Sequence, residues 1–254
     1  VTQDYMLSSV KNALRLLRSF SLEEPEKKVT DLAAELGIGK STVSRLLTTL
    51  ASEGFVIKDK ETQKYRLGLT VLHLNTVATS ILEVHRESQP ILERLVNDIG
   101  ETTHIAVLDG MDVVYLNKVE CNHPVQILSH VGRHNPIHCT SSGKVLLAYQ
   151  SEEVINRVIE FGLKKYTSKT ITEGEDLRAA LQTVREQGYS ISIEEILEGV
   201  ASIAAPIRDY TGKVAYALTA IGPAHRMNPY SLSTIQKVKH AAKEISESLG
   251  YWKK

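Results

Sequence analysis

Three things are scarce in this sequence, and each shortage removes a class of function. No apolar run approaches the roughly 20 residues that a bilayer-spanning helix needs, and the opening VTQDYMLSSV lacks the basic-then-apolar layout of a secretion signal. Net charge is missing as well. The 30 basic side chains balance 30 acidic ones, so no global field marks a nucleic-acid binder or a membrane-surface protein. Any contact with DNA must be local. Cysteine occurs only at Cys121 and Cys139, which offers no disulfide framework and suits a reducing compartment. A soluble, cytoplasmic protein with two free thiols is expected. What the sequence does have is 254 residues with 42% hydrophobic content. That exceeds the usual domain of roughly 100–200 residues, so two cores are expected.

The stretch SSVKNALRLLRSF offers Ser8 or Ser9 as a helix cap, and then Val10, Ala13, Leu14, Leu17 and Phe20 at helical spacing, with Lys11, Arg15 and Arg18 pointing elsewhere. After a charged loop, VTDLAAELGIGKSTVSRLLTTLASEGF reads as two short helices broken at Gly37-Ile38-Gly39. Thr30 is placed to cap the first. Gly37 can adopt the left-handed conformation that ends a helix, and a glycine-containing turn of this length joins the helices of a helix-turn-helix. In the second helix, about 40–53, Val43, Leu46, Leu47 and Leu50 form one buried stripe. The opposite face carries Ser41, Thr42, Ser44, Arg45, Thr48 and Thr49. Short hydroxyls and one guanidinium can reach phosphates and base edges without holding the helix out of a major groove. An ordinary solvated face would more often carry Glu and Lys.

Next, Phe55-Val56-Ile57 and Tyr65-Arg66-Leu67 flank a polar stretch, the pattern of a β-hairpin with Lys58, Lys60, Lys64 and Arg66 at its tip and edges. A basic hairpin after a recognition-type helix is the wing of a winged helix. Residues 40–68 hold six basic side chains, Lys40 and Arg45 among them, against three acidic ones, a net of +3. A single copy would bind DNA weakly, so paired readers on two half-sites are expected, in a homodimer or a tetramer. Residues 69–98 return to helical periodicity, with Pro90 placed at the first turn of a new helix. The resulting division is a DNA-binding domain over 1–68, a linker helix over 69–86, more apolar than a solvated spacer, and a second domain over 87–254.

From residue 101 the periodicity changes. THIAVLDGMDVVYLNKVE sets two β-rich runs about Asp109-Gly110, a hairpin signal. Further strands are expected at 125–129, 189–193, 201–206 and 214–221, and helices at 142–149, 152–161, 175–187 (with a capping box from Thr172 to Glu175) and 231–249. Hairpins and helices in this order indicate an α+β domain with an antiparallel sheet.

Three stretches of the chain resemble the IclR family of bacterial transcriptional regulators: GIGKSTVSRLLTTLASEGFV with Tyr65-Arg66-Leu67-Gly68, then NPIHCTSSGKVLLAY, then GYSISIEEILEGVASIAAPIRDYTGKV with Gly188, Ser192, Glu195, Ser202, Ile203, Ala204, Ile207 and Asp209 at signature positions. Arg208 departs from the aromatic or histidine usual there. The resemblance implies a GAF-like C-terminal effector domain, homodimers that often pair into tetramers, and a small carboxylate-bearing metabolite as ligand. It also implies that Ser192, Ser202 and Thr219 line the effector cavity. From the residues themselves, Ser141, Ser142 and Gly143 stand at a helix start, where unpaired amides and the dipole make an anion site.

Blander readings compete. Serines at a helix start are common caps, Lys144 serves as well in an ion pair as in holding an acid, and Ser202 and Thr219 can be satisfied core hydroxyls. Cys121, His123, His130, His134, His138 and Cys139 are metal-ligand types, but their spacings match no strong zinc pattern, and no metal or cofactor is expected. His138 and Cys139 are adjacent on an extended segment and point apart, which disfavours a nucleophile–base pair. The expectation is therefore a repressor of a catabolic operon, binding double-stranded operator DNA and a hydroxylated acid such as 2-keto-3-deoxygluconate, and neither an enzyme nor a membrane protein. A metabolite-converting enzyme fused to a DNA-binding domain is the alternative, and an architectural DNA-binding protein would not need the second domain.

Overall fold

Apolar periodicity predicts most of the helices and strands that form. The computed structural model describes residues 7–80, 83–122 and 130–252, and the chain divides into two units, one ending at residue 81 and one beginning at residue 82.

The first unit runs α1 (Ser8–Arg18), α2 (Val29–Leu36), α3 (Lys40–Ser52), β1 (Val56–Lys58), β2 (Tyr65–Leu67) and α4 (Leu69–Ser80). Gly37 ends α2 at φ +67°, as its lack of a side chain allows. Strands β1 and β2 pair antiparallel, and Lys27 bridges to Tyr65 on the free side, so the wing is anchored to the loop before α2. A small core of Leu16, Leu32, Val43, Leu47, Val56 and their neighbours holds the unit together. Three local expectations fail. Ser8 and Ser9 lie inside α1, whose N-cap Leu7 makes no side-chain bond. Thr30 lies within α2, where the Lys28 N–H instead donates to Asp31 Oδ2 at 3.2 Å. Val10 and Leu14 are 51% and 56% exposed, and Leu16 supplies the buried contact. Apolar residues occur on more than one side of α1, so spacing alone could not select the packed face. Leu69, Leu72, Leu74 and Val77 of α4 are also exposed.

The second unit runs α5 (Glu83–Ile99), β3 (Thr102–Asp109), β4 (Asp112–Val119), β5 (His134–Pro136), α6 (Ser141–Ala148), α7 (Glu152–Phe161), α8 (Gly174–Gln187), β6 (Ser190–Ile193), β7 (Val200–Arg208), β8 (Val214–Pro223) and α9 (Leu232–Ser248). Its six strands form one sheet in the order β5-β4-β3-β8-β7-β6, every neighbour antiparallel. Helices α5 and α9 bury Leu92, Leu95, Val238 and Ile245 against one face. Helices α6, α7 and α8 bury Leu146, Leu147, Ile155, Leu177 and Leu181 against the other.

Pro90 does not open a helix but sits within α5. Proline there removes a helix hydrogen bond and crowds the preceding turn. The Asn117 amide on β4 stitches this turn, donating to the His85 carbonyl at 3.3 Å and lying 3.2 Å from Ser88 Oγ. The capping box at Thr172 does not form, because α8 begins at Gly174 with Glu173 as N-cap and no side-chain bond. The short strand β5 was not anticipated, since three residues show no alternation, and the strand expected at 125–129 falls outside the described residues.

Candidate functional site

Two surfaces gather the residues singled out in the sequence, one in each unit. On α3, Val43 and Leu47 are buried and Leu46 and Leu50 half-buried, so Lys40, Ser41, Thr42, Ser44, Arg45 and Thr48 are left exposed on the outward side. Thr48 Oγ1 donates to the Ser44 carbonyl at 2.9 Å, which satisfies its proton and leaves the oxygen outward as an acceptor. In the wing, Lys58, Lys60 and Arg66 are exposed and Lys64 half-buried. The pairing of Ile57 with Arg66 and of Lys58 with Tyr65 puts the two cations on opposite faces of the hairpin. Lys58 accordingly lies over the Tyr65 ring, 5.6 Å from its centroid. The basic residues of the wing therefore do not share one face, a consequence of the pleat that spacing in the loop hid.

The second surface is a cavity of about 270 Å³ between the sheet and the start of α6. Strand register builds its floor. Ser192 pairs with Ser202 and Ser202 with Ile221, while on the next rung of the same face Thr219 pairs with both His104 and Ala204. Thr140, Ser141 and Ser142 come from the start of α6, Asn135 and Pro136 from β5, and Tyr166 and Glu195 from loops. Five of the six expected effector residues thus line one cavity: Ser141, Ser142, Ser192, Ser202 and Thr219.

Gly143 does not. Its N–H donates to the Thr140 Oγ1 cap at 3.1 Å, so that amide is unavailable to a ligand. A Cβ there would stand 2.1 Å from the Ile137 carbonyl oxygen. This position is glycine because the loop backbone presses on the helix. The first-turn amides of Ser141 and Ser142 have no acceptor within the helix.

The hydroxyls of the cavity divide into two kinds. Ser141 Oγ donates to Ser202 Oγ at 2.8 Å, and Ser192 Oγ to the Cys139 carbonyl at 3.3 Å, so these groups also tie β6 and β7 to the α6 segment. By contrast Ser142 Oγ, Thr219 Oγ1, Asn135 Nδ2, Glu195 Oε2 and both ring nitrogens of His104 are buried without a partner among the described residues. Leaving such a group unmade costs about 1–3 kcal/mol, and among the described residues every such atom except Thr103 Oγ1 belongs to a residue lining this cavity.

Lys144 is in an ion pair and not in solvent. Its ammonium is buried and donates to Glu195 Oε1 at 2.5 Å and to the Ile191 carbonyl at 2.9 Å. Burial pushes the His104 imidazole down to about 3, helped by the charge of Lys118, so the ring is neutral at pH 7. Burial likewise pushes the Tyr115 phenol up to about 12, against a smaller opposing effect of the Ser142 hydroxyl, which lies near it without reaching hydrogen-bond geometry. Burial raises the Cys139 thiol to about 12 as well, and His138 Nε2 is 3.0 Å from the Lys164 carbonyl, so the pair has no nucleophilic geometry. Among the described residues no three metal-ligating side chains converge, and no helix is long and apolar enough to cross a membrane.

His104, Tyr115, Asn135, Tyr166 and Glu195 were not expected to line the site. For His104 a signal existed: it is the imidazole in the apolar run THIAVL. For Tyr115 and Tyr166 none did, since tyrosine suits a half-buried strand or loop anyway.

Comparison with known proteins bears on both surfaces. Residues 9–60 match the IclR helix-turn-helix domain, and residues 76–247 match the bacterial transcriptional regulator IclR C-terminal domain. The HTH-type transcriptional regulator XynR of Escherichia coli K12 is 32% identical over 248 residues, 97% of this chain and 98% of that protein. KdgR, an HTH-type transcriptional regulator of the same organism, is 34% identical over 247 residues, 96% of this chain and 94% of that one. Among solved structures, an IclR homolog from Microbacterium hydrocarbonoxydans complexed with 4-hydroxybenzoate superposes with a TM-score of 0.85 at 27% identity, covering 95% of this chain and 99% of the other.

Proposed function

The chain belongs to the IclR family of bacterial transcriptional regulators, and from that premise we propose that it represses a catabolic operon and that a small hydroxylated carboxylate, of the kind represented by 2-keto-3-deoxygluconate, sets its hold on operator DNA. The family membership makes it a DNA-binding regulator. The observation that carries the effector reading is the cavity at the α6 N-terminus, with first-turn amides facing a cluster of buried polar groups that lack partners. The acid bound by the Microbacterium relative supports a carboxylate ligand. In this reading the carboxylate sits on the amides of Ser141 and Ser142, and Ser192, Ser202 and Thr219 complete the pocket. Arg45, Ser41, Thr42, Ser44 and Thr48 face the major groove, with Lys40 and the wing cations Lys58, Lys60, Lys64 and Arg66 against the backbone. The competing enzyme reading is disfavoured by the protonated thiol of Cys139 and by the engagement of His138 with a carbonyl.

An effector shifts DNA binding only as far as its affinities for two conformations differ, so the ligand must touch elements that move. The exposed apolar side chains Leu69, Leu72, Leu74 and Val77 of α4 support a homodimer, or a tetramer built from it, through which a change near α6 alters the spacing of two winged helices. A coupling of about 1–3 kcal/mol changes DNA affinity roughly 5–150-fold. The test is operator titration of the wild type and Ser142→Leu, with and without a panel of sugar acids, keto acids and aromatic acids. The wild type should respond to a member of the panel, and the variant should keep its apo affinity and lose the response. An equal response in both proteins would move the effector site elsewhere.

A further inference from the structure

His104 is completely buried, yet neither ring nitrogen has a hydrogen-bond partner among the described residues. A histidine retained for packing is expected to bond at least one nitrogen, because buried polar atoms are nearly always satisfied. Tyr115 holds the ring in place, with centroids 3.9 Å apart at 46°, but provides no hydrogen bond to it. Directly across the sheet from His104 is Thr219, whose hydroxyl is equally without a partner. Both side chains line the cavity at the start of α6.

We infer that His104, with Thr219 beside it, reads a hydroxyl group of the effector and so selects hydroxylated acids over acids of the same length that lack hydroxyls. The inference rests on the reading of this cavity as the effector site. A neutral imidazole presents one N–H donor and one lone-pair acceptor, and the threonine hydroxyl can do either. A carboxylate or ketone oxygen only accepts, which leaves the imidazole lone pair unmet. An ammonium only donates, which leaves the imidazole N–H unmet. A methylene meets neither. The two ring nitrogens point in divergent directions, so a ligand hydroxyl meets one of them, as donor or as acceptor, and can use its remaining proton or lone pair on the Thr219 hydroxyl. Glu195 points the same way: its Oε1 is taken by Lys144, and its Oε2 is a buried acceptor in the same cavity that also requires a donor from the ligand.

Calorimetric titration with two matched pairs tests this: 2-keto-3-deoxygluconate against 2-oxohexanoate, and gluconate against hexanoate. The wild type should prefer the hydroxylated member of at least one pair by about a hundredfold or more, since a site built to bond a hydroxyl strongly rejects the analogue without it. His104→Leu should reduce that preference below about tenfold, and the isosteric Thr219→Val should reduce it by a smaller factor. His104→Leu should also melt no lower than the wild type, because it removes polar atoms without partners; a histidine serving only the fold would show a lower melting temperature and an unchanged preference. A preference that survives in both variants overturns the inference, as does a wild type that takes the hydroxyl-free acids equally well or takes none of the four. Ser142→Leu separates this from failure of the cavity reading. If it binds like the wild type, the cavity is not the effector site. If it binds nothing while His104→Leu keeps the wild-type preference, the cavity stands and only the role of His104 falls.

Discussion

The two units use the same short hydroxyl side chains in opposite ways. On α3, Ser41, Thr42, Ser44 and Thr48 are exposed, with their hydroxyls open to water or, for Thr48, bonded to their own helix. In the cavity, Ser142 and Thr219 are buried, and their oxygens meet nothing in the described protein. An exposed reader costs the free protein almost nothing, because water serves as the partner. On the proposed reading, a buried hydroxyl without a protein partner carries a penalty that a ligand would relieve, which would make it selective. The two units should therefore respond differently to the same kind of substitution.

The largest contrast is expected from removing a cation. Lys144→Met leaves Glu195 buried without its ion pair and should cost the second unit about 3–5 kcal/mol in urea unfolding, whereas Lys58→Met on the exposed wing should change stability by under about 0.5 kcal/mol. Similar losses in both would erase the distinction between the units. Next is Leu47→Ala, which opens a cavity in the small first core and should cost about 2–5 kcal/mol. Protease should then cut the first unit readily, while the full-length variant still binds the acids that the wild type binds. A parallel drop in acid affinity would mean that the two cores do not fold independently.

Arg45→Ala should weaken operator binding by about 1–3 kcal/mol, if it reads a base through two hydrogen bonds, without moving the melting temperature. Unchanged affinity and unchanged sequence preference would remove Arg45 from the reading face. The smallest effect concerns pH. An unfolded chain protonates its imidazole near 6.5 and the folded one near 3, so between those values the unfolded state holds the extra proton. Stability should therefore fall as pH drops below about 6.5, with His104 contributing up to about 1.4 kcal/mol per pH unit. The difference in unfolding free energy between wild type and His104→Leu at pH 7 and pH 5.5 measures it. Parallel pH dependences would show that the ring does not titrate as its burial implies.

Much of this was legible from side-chain order alone, and the boundary follows a physical line. The exposed face of α3 could be read because a helix sorts neighbours by a fixed 3.6-residue period, so Val43 and Leu47 necessarily turn away from Ser44 and Arg45. The hairpin at Asp109-Gly110 and the left-handed turn at Gly37 were likewise local, since they depend on the backbone freedom of one residue. Ser141 and Ser142 were read from their place at a helix start and Ser192, Ser202 and Thr219 from family resemblance, and for the latter three the sheet register supplies the geometric reason.

What the order of residues could not decide depends on which elements meet. Only packing selected Leu16 over Val10 and Leu14 as the buried contact of α1, because apolar residues on several sides give spacing no unique answer. Pro90 sits inside α5 one turn after a His85 carbonyl that accepts from Asn117, whose side chain, 27 residues after the proline, no local pattern announces. Gly143 reads as one of three unpaired amides at a helix start until its N–H is found on the Thr140 hydroxyl and the Ile137 carbonyl against its Cα. His104 reads as one polar residue in a strand, and its lack of a partner exists only once β4, β8 and α6 have closed around it. Period and turn chemistry act between near neighbours along the chain, whereas burial and hydrogen-bond satisfaction are set by atoms brought together from far apart, which only the folded structure can supply.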